Sequence, residues 1–285
     1  VLLTVVVAMG CRKEHAWDQD GWRPEKVPQR IVAGSVLAVE SLFEVMPRER
    51  LAAVHAFAAD ERYSLVAKAV QGTPTVGATP EQLLSVGPDL VLVDAYTQAE
   101  TLSLLSSANV PVVRTLDPHS FADIETNLRT LGRVTHLDAE VDAISKRMQE
   151  QLANVRAKSK PLASWRLLSL DGALHAYGKG SLFDVIVKTA GARNVATENG
   201  VGAFRKLDIE EVLAWQPDAI VLSGAPPADG KPPKWIKQCP GLDLLPCLKK
   251  GRILYVPSRQ LITTSHRLVD SAAYVQQKLL QWGKP

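Results

Sequence analysis

The chain has 285 residues, 46% of them apolar and 22% charged, so it can bury a sizeable core and is not disordered as a whole. Its 33 Lys and Arg against 30 Asp and Glu leave a formal net charge of +3 with no basic block, which argues against a nucleic-acid partner. With 18 Gly and 18 Pro it is neither collagen-like nor linker-dominated, and its length suits two domains of about 100–200 residues each.

Residues 1–10 (VLLTVVVAMG) carry no charge. As a helix they would span about 15 Å, half of the ~30 Å hydrocarbon core, so they do not cross a membrane as they stand. The run fits the apolar region of a signal peptide. Ala8-Met9-Gly10-Cys11 resembles a bacterial lipobox, which makes Cys11 the expected lipidation site and membrane anchor; the alternative is a buried N-terminal strand with an incidental cysteine. Residues 1–11 are then a signal-peptide remnant, and residues 12–27, polar and broken by Gly and Pro, a tether.

The chain then repeats itself. Residues 79–93 read TPEQLLSVGPDLVLV and residues 208–222 read DIEEVLAWQPDAIVL, so that Glu81 meets Glu210, Leu84 meets Leu213, and Pro88-Asp89 meets Pro217-Asp218. A second match pairs residues 41–46 (SLFEVM) with 181–186 (SLFDVI), each after a strand-like start, and a third pairs residues 110–115 with 252–257. Three matches in one order predict an α/β protein of two similar lobes, each a mostly parallel sheet flanked by helices. Between them, residues 121–133 read as a helix weakened by Gly132. Residues 138–158 read as a long one, with Val141, Ile144, Met148, Leu152 and Val155 on a single stripe. That helix is about 30 Å long and joins the lobes rigidly, allowing them to rock by only a few degrees. The expected division is an N-terminal lobe over 28–137, the bridging helix over 138–158 and a C-terminal lobe over 159–285.

Ligands of open α/β sheets sit beyond the carboxyl ends of the strands. The loops there are 34–39, 56–63, 95–98, 118–119, 174–181, 203–206 and 258–266. They carry Phe57, Tyr63, Tyr96, Tyr177 and Phe204, with Lys179, Arg205 and Arg259 as cations. Such a cleft suits a large, partly apolar, often anionic ligand, although any one ring could equally pack under its loop. Thr79 with Gln82, and Asp208 with Glu211, have capping-box spacing, which leaves Glu81 and Glu210 projecting outward. Each glutamate either favours its helix dipole, worth ~0.3–1 kcal/mol, or serves as one of two negative studs for a symmetric partner. Cys239 and Cys247 form an even pair once Cys11 is acylated; a disulfide between them would contribute ~2.5 kcal/mol in an oxidising compartment, the alternative being two free thiols.

Taken together, RIVAGSVLAVESLFEV, TVGATPEQLLSVGPDLVLV, the long middle helix, GSLFDVIVKTAGARNV and LDIEEVLAWQPDAIVL resemble the iron-complex and vitamin B12 class of ABC-importer substrate-binding proteins. The resemblance runs from Pro28 to the C-terminus, and E-x-x-L-x-x-x-P-D is its most specific part. It implies a monomeric, non-enzymatic protein without catalytic residues or a resident cofactor. Such a protein captures a metal chelate (ferric siderophore, haem or corrinoid) in the periplasm or at the cell surface. It delivers the chelate to a permease dimer with its ATPase subunits. In the family the lobe glutamates dock onto permease arginines, a role that falls here to Glu81 and Glu210. Haem-binding relatives carry a Tyr just ahead of the first glutamate, where this chain has Val76-Gly77-Ala78-Thr79. Corrinoid binders place an aromatic six residues before each glutamate, where it has Thr75 and Phe204. Arg259, Tyr96 and Tyr177 match the contacts of siderophore binders, so the resemblance favours a ferric siderophore, with a corrinoid close behind.

Two other classes fit less well. Gly178-Lys179-Gly180-Ser181 only glances at a phosphate loop, no G-x-S-x-G elbow is present, and the cluster-ligating cysteines of nitrogenase-like proteins are missing. A receptor for bare Zn²⁺ or Mn²⁺ needs converging ligands, whereas His15, His55, His119, His136, His175 and His266 are scattered singly. His55, His119 and His175 are the three that could meet in the cleft, and no metal site is expected.

Overall fold

The computed structural model describes residues 21–285; the apolar run, Cys11 and most of the tether lie outside the described residues. Strands β1 (Ile31–Ala33), β2 (Leu51–His55), β3 (Thr75–Val76), β4 (Leu90–Val93) and β5 (Val112–Arg114) form one sheet in the order β3-β2-β1-β4-β5. The second half supplies β6 (Arg166–Ser169), β7 (His175–Ala176), β8 (Arg193–Asn194), β9 (Arg205–Lys206), β10 (Ala219–Ser223) and β11 (Ile253–Val256). Of these, β11-β10-β6-β8 make a sheet, while β7 and β9 pair separately as an antiparallel ribbon. Every pair within the two larger sheets is parallel, so each strand must return through a helix, and both faces are covered.

Covering both faces explains why the strands read as unbroken apolar runs. In β4, Leu90 and Leu92 face a central core while Val91 and Val93 face an outer one. In β10, Ala219 and Val221 join that same central core, and Ile220 and Leu222 an outer one of the second lobe. The central core therefore runs from one sheet to the other. Helix Asp138–Ala157 lies within it, against Phe121–Thr135 on one side and Leu182–Ala190 and Leu268–Trp282 on the other. The bridging helix does not stand alone; it is one member of a packed helical layer. Gly132, which weakens its helix in isolation, has a packing reason, because a Cβ there would come within 3.1 Å of Val141.

The repeat has a backbone explanation. Asp89 accepts hydrogen bonds from the Gln29 and Arg30 amides at the start of β1, at 2.6 and 2.9 Å. Asp218 accepts from the Arg166 amide at the start of β6, at 2.9 Å. The arginine beside each bond reaches carbonyls just ahead of the Pro-Asp pair: Arg30 those of Val86 and Gly87, Arg166 that of Gln216. The SLFEVM and SLFDVI match, by contrast, is out of register. Ser181 is the N-cap of helix Leu182–Ala190, whereas Ser41 lies near the end of helix Val36–Leu42, whose N-cap is Ser35. The equivalent pairs are Gly34-Ser35 and Gly180-Ser181, each a post-strand turn with a hydroxyl cap.

Two further expectations are corrected. Cys239 and Cys247 are free thiols. Cys247 is buried in the outer core of the second lobe, where burial pushes its thiol up to about 11, while Cys239 ends helix Lys234–Gln238. The last part of the expected tether is packed, because Trp22 lies against the central core and Arg23 pairs with Asp138 at 2.9 Å. No helix among the described residues is long and apolar enough to cross a membrane.

Candidate functional site

In a sheet ordered 3-2-1-4-5 the crevice opens where the order reverses, between β1 and β4; the second sheet reverses between β6 and β10. The two reversals face one cleft. A chamber of about 630 Å³ is lined from the first lobe by Tyr96, Asp117 and His119, and from the second by Ser169, Asp171, Tyr177, Phe204 and Ser223. A smaller one of about 260 Å³ is lined by Ser35, His55, Phe57, Asp94 and Leu116, and shares Tyr96, Asp117 and Thr264 with the first. Together they fall in the size range of small-molecule sites, about 300–1,000 Å³.

The second lobe supplies rings. The ribbon of β7 and β9 presents Tyr177 and Phe204 together, their centroids 5.2 Å apart, with His175 stacked behind Phe204 at 4.8 Å. Gly178 permits the close turn, since a Cβ there would fall 2.3 Å from the Val201 carbonyl oxygen. His175 donates through Nδ1 to Asp171 at 2.9 Å. Burial opposes ionisation of Asp171, but hydrogen bonds from the His175 and Ala173 amides and the imidazole outweigh it and hold its carboxyl below the usual range. The first lobe supplies carboxylates. Tyr96 donates its hydroxyl to Asp117 at 2.6 Å, and that bond, reinforced by burial, pushes the phenol up to about 12. His119 donates through Nδ1 to the Gly180 carbonyl at 3.0 Å, crossing from lobe to lobe, and its Nε2 is 3.5 Å from Asp117. Burial lowers His55, with Asp94 opposing.

Of the eight expected ligand-binding residues, Phe57, Tyr96, Tyr177 and Phe204 line the cleft. Tyr63 does not; it stacks behind Phe57 at 4.8 Å under the Arg62 guanidinium. Among the lining residues there is no lysine or arginine. Arg205 forms a forked pair with Glu211 at 2.8 and 3.2 Å, and Arg259 is held by Glu61, while Lys179 is exposed outside the lining. Asp94, Asp117, Asp171 and Thr264 were not anticipated. Asp94 directly follows β4 and Asp171 follows β6 by two residues, a position that could have flagged them. His55, His119 and His175 all come to the cleft region, yet no cluster of three potential metal ligands exists among the described residues.

Away from the cleft, Thr79 caps helix Pro80–Leu84, and Asp208 with Glu211 completes a capping box on helix Ile209–Trp215. Glu81 and Glu210 lie exposed in the first turns of these helices, one on each lobe.

Comparison with known proteins places this architecture. The periplasmic binding protein family matches residues 31–260, and the chain belongs to that family. It is 26% identical over 208 residues to the vitamin B12-binding protein of Pectobacterium carotovorum, covering 70% of this chain and 73% of that one. It is 28% identical over 165 residues to the molybdate-binding protein MolA of Haemophilus influenzae, covering 50% and 46%. Among solved structures, the haem-binding protein RhuT of Roseiflexus sp. RS-1 superimposes with a TM-score of 0.76 at 22% identity, over 87% of this chain and 97% of that one. HutB of Vibrio cholerae, also haem-binding, gives 0.75 at 21%, over 88% and 98%. At these identities the structural matches speak for the fold.

Proposed function

We propose that this protein is the extracytoplasmic receptor of an ABC importer and that its cargo is a corrinoid. The charge of the cleft carries the reading: three aspartates, the aromatic rings of Phe57, Tyr96, Tyr177 and Phe204, and no lysine or arginine. A corrinoid is a broad macrocycle fringed by neutral primary amides, whose N–H donors suit carboxylate acceptors and whose flat face suits Tyr177 and Phe204. The propionates of haem, or an anionic ferric siderophore, would meet Asp94, Asp117 and Asp171 instead. This reverses the order of preference drawn from the sequence, which relied on Arg259 together with Tyr96 and Tyr177. The likeness to a vitamin B12-binding protein supports the same choice. A ferric siderophore is the second reading, and it requires Arg259 to leave Glu61 and turn inward.

Absorbance titration with cyanocobalamin, haemin, and neutral and anionic ferric siderophores tests the cargo. The expected result is saturable one-to-one binding of cyanocobalamin, weakened about tenfold by Phe204→Ala. Binding of haemin or a siderophore with cyanocobalamin silent would overturn it. On the same reading Glu81 and Glu210 dock the loaded receptor onto the permease. Replacing both by Lys should abolish uptake while leaving cyanocobalamin affinity unchanged; lost affinity would refute the role. Cys11 is the proposed anchor, tested by mass spectrometry of the mature N-terminus for an acyl chain.

A further inference from the structure

Between β11 and helix Leu268–Trp282, residues 258–267 reach across to the first lobe at three points. Arg259 donates to the Glu61 carbonyl at 3.0 Å, and Arg267 pairs with Glu44. Between them, Thr263 and Ser265 both donate their hydroxyls to Oε2 of Glu40, at 2.6 and 2.7 Å. Glu40 lies on helix Val36–Leu42 and is 1% exposed; its Oε1 accepts the Leu65 amide at 2.8 Å. A carboxyl group is removed from water without heavy cost only where donors replace the water, and here three do, drawn from two other segments of the chain. An apolar side chain would bury as well. What the carboxyl adds is direction, because hydrogen bonds weaken steeply off axis.

What it directs lies next to the cargo. Thr264, between the two donors, lines both chambers of the cleft, and Leu261 and Ile262 line the larger. The stretch itself is poorly satisfied. Among the described residues, the buried side-chain polar atoms without a hydrogen-bond partner are Gln260 Oε1, His266 Nδ1 and Arg267 Nε, all within it. Nearly all buried polar atoms in folded proteins are paired, so a stretch with three orphans is held by its anchors more than by its own bonds.

We propose that Glu40 is a positioning residue for cargo binding: it pins residues 263–265 to the first lobe, sets Thr264 at the junction of the two chambers, and thereby fixes the spacing of the lobes. The identity of the cargo rests on the reading above; the pinning does not. The test uses the full chain, with nitroxide labels at Glu100→Cys and Lys249→Cys, and Cys11 and Cys239 replaced by Ser. Inter-lobe distances come from double electron–electron resonance, and cyanocobalamin association and dissociation rates from stopped flow. Glu40→Gln keeps the shape but turns an acceptor into a donor, and Thr263→Val with Ser265→Ala removes the donors. Both should broaden the narrow parent distance and weaken binding about tenfold, mainly through faster dissociation. An unchanged distance distribution in both variants would overturn the proposal. If the parent binds no cyanocobalamin, the cargo reading fails, and the distances still decide the role of Glu40.

Discussion

The two lobes share a frame and differ in what is mounted on it. In both, an aspartate and an arginine clamp the start of the first strand, a hydroxyl caps the helix after it, and an exposed glutamate opens a later helix. The stretch ahead of that glutamate is where they part. In the first lobe Thr75-Val76 is absorbed into the sheet beside β2. In the second, Arg205-Lys206 leaves the sheet and pairs with His175-Ala176, and this ribbon carries Tyr177 and Phe204 into the cleft. The shared frame decides where a ligand can sit. The additions decide the chemistry it meets: Asp94 and Asp117 with Phe57 and Tyr96 from the first lobe, and the Tyr177–Phe204 pair with Asp171 from the second.

The residue preceding each clamping arginine, Arg30 in one lobe and Arg166 in the other, gives the largest expected contrast. In the second lobe it is Trp165, fully buried, beside Trp282 at 5.7 Å, with its indole donating to the Gly283 carbonyl at 3.0 Å. In the first lobe it is the exposed Gln29. Trp165→Ala should cost about 3–5 kcal/mol in urea unfolding, and Gln29→Ala less than about 0.5 kcal/mol. Similar losses at the two positions would break the contrast.

His266 comes next. It is pushed down to about 4, first by burial and then by Arg147. Unfolded, it titrates near 6.5, so between pH 6.5 and 4 the unfolded chain binds a proton that the folded chain resists. Stability should therefore fall across that window as pH drops, by at most roughly 3 kcal/mol, and His266→Gln should flatten that part of the profile. Parallel profiles for parent and variant would count against it. The smallest effect tests the frame: Asp89→Asn and Asp218→Asn should each cost about 1–2 kcal/mol, and a loss in one lobe alone would show that the clamps are not equivalent.

How much of this was legible follows from the physics of each feature. The strands were, because covering both faces leaves no polar alternation to obscure them. The Pro-Asp repeat was, because its aspartate has a fixed backbone task in each lobe. The SLFEVM match misled because shared apolar residues carry no register, whereas the true equivalence rests on two small residues, Gly34-Ser35 and Gly180-Ser181. Rings in post-strand loops pointed to the cleft, since Phe57, Tyr96, Tyr177 and Phe204 are exposed there. The cations did not, because a charge follows its partner. Arg205 finds Glu211 six residues away, but the link from Arg259 to Glu61 exists only once both lobes are in place. Glu40 and Thr264 were invisible for the same reason, and the cysteine spacing held no trace of the core that surrounds Cys247.

A crystal structure of the chain grown with saturating cyanocobalamin tests the central claim most directly. The account predicts one corrin ring between the lobes, its face on Phe204 and Tyr177 and its amides donating to Asp117 and Asp171. An empty cleft, or a ligand seated elsewhere on the molecule, would contradict it.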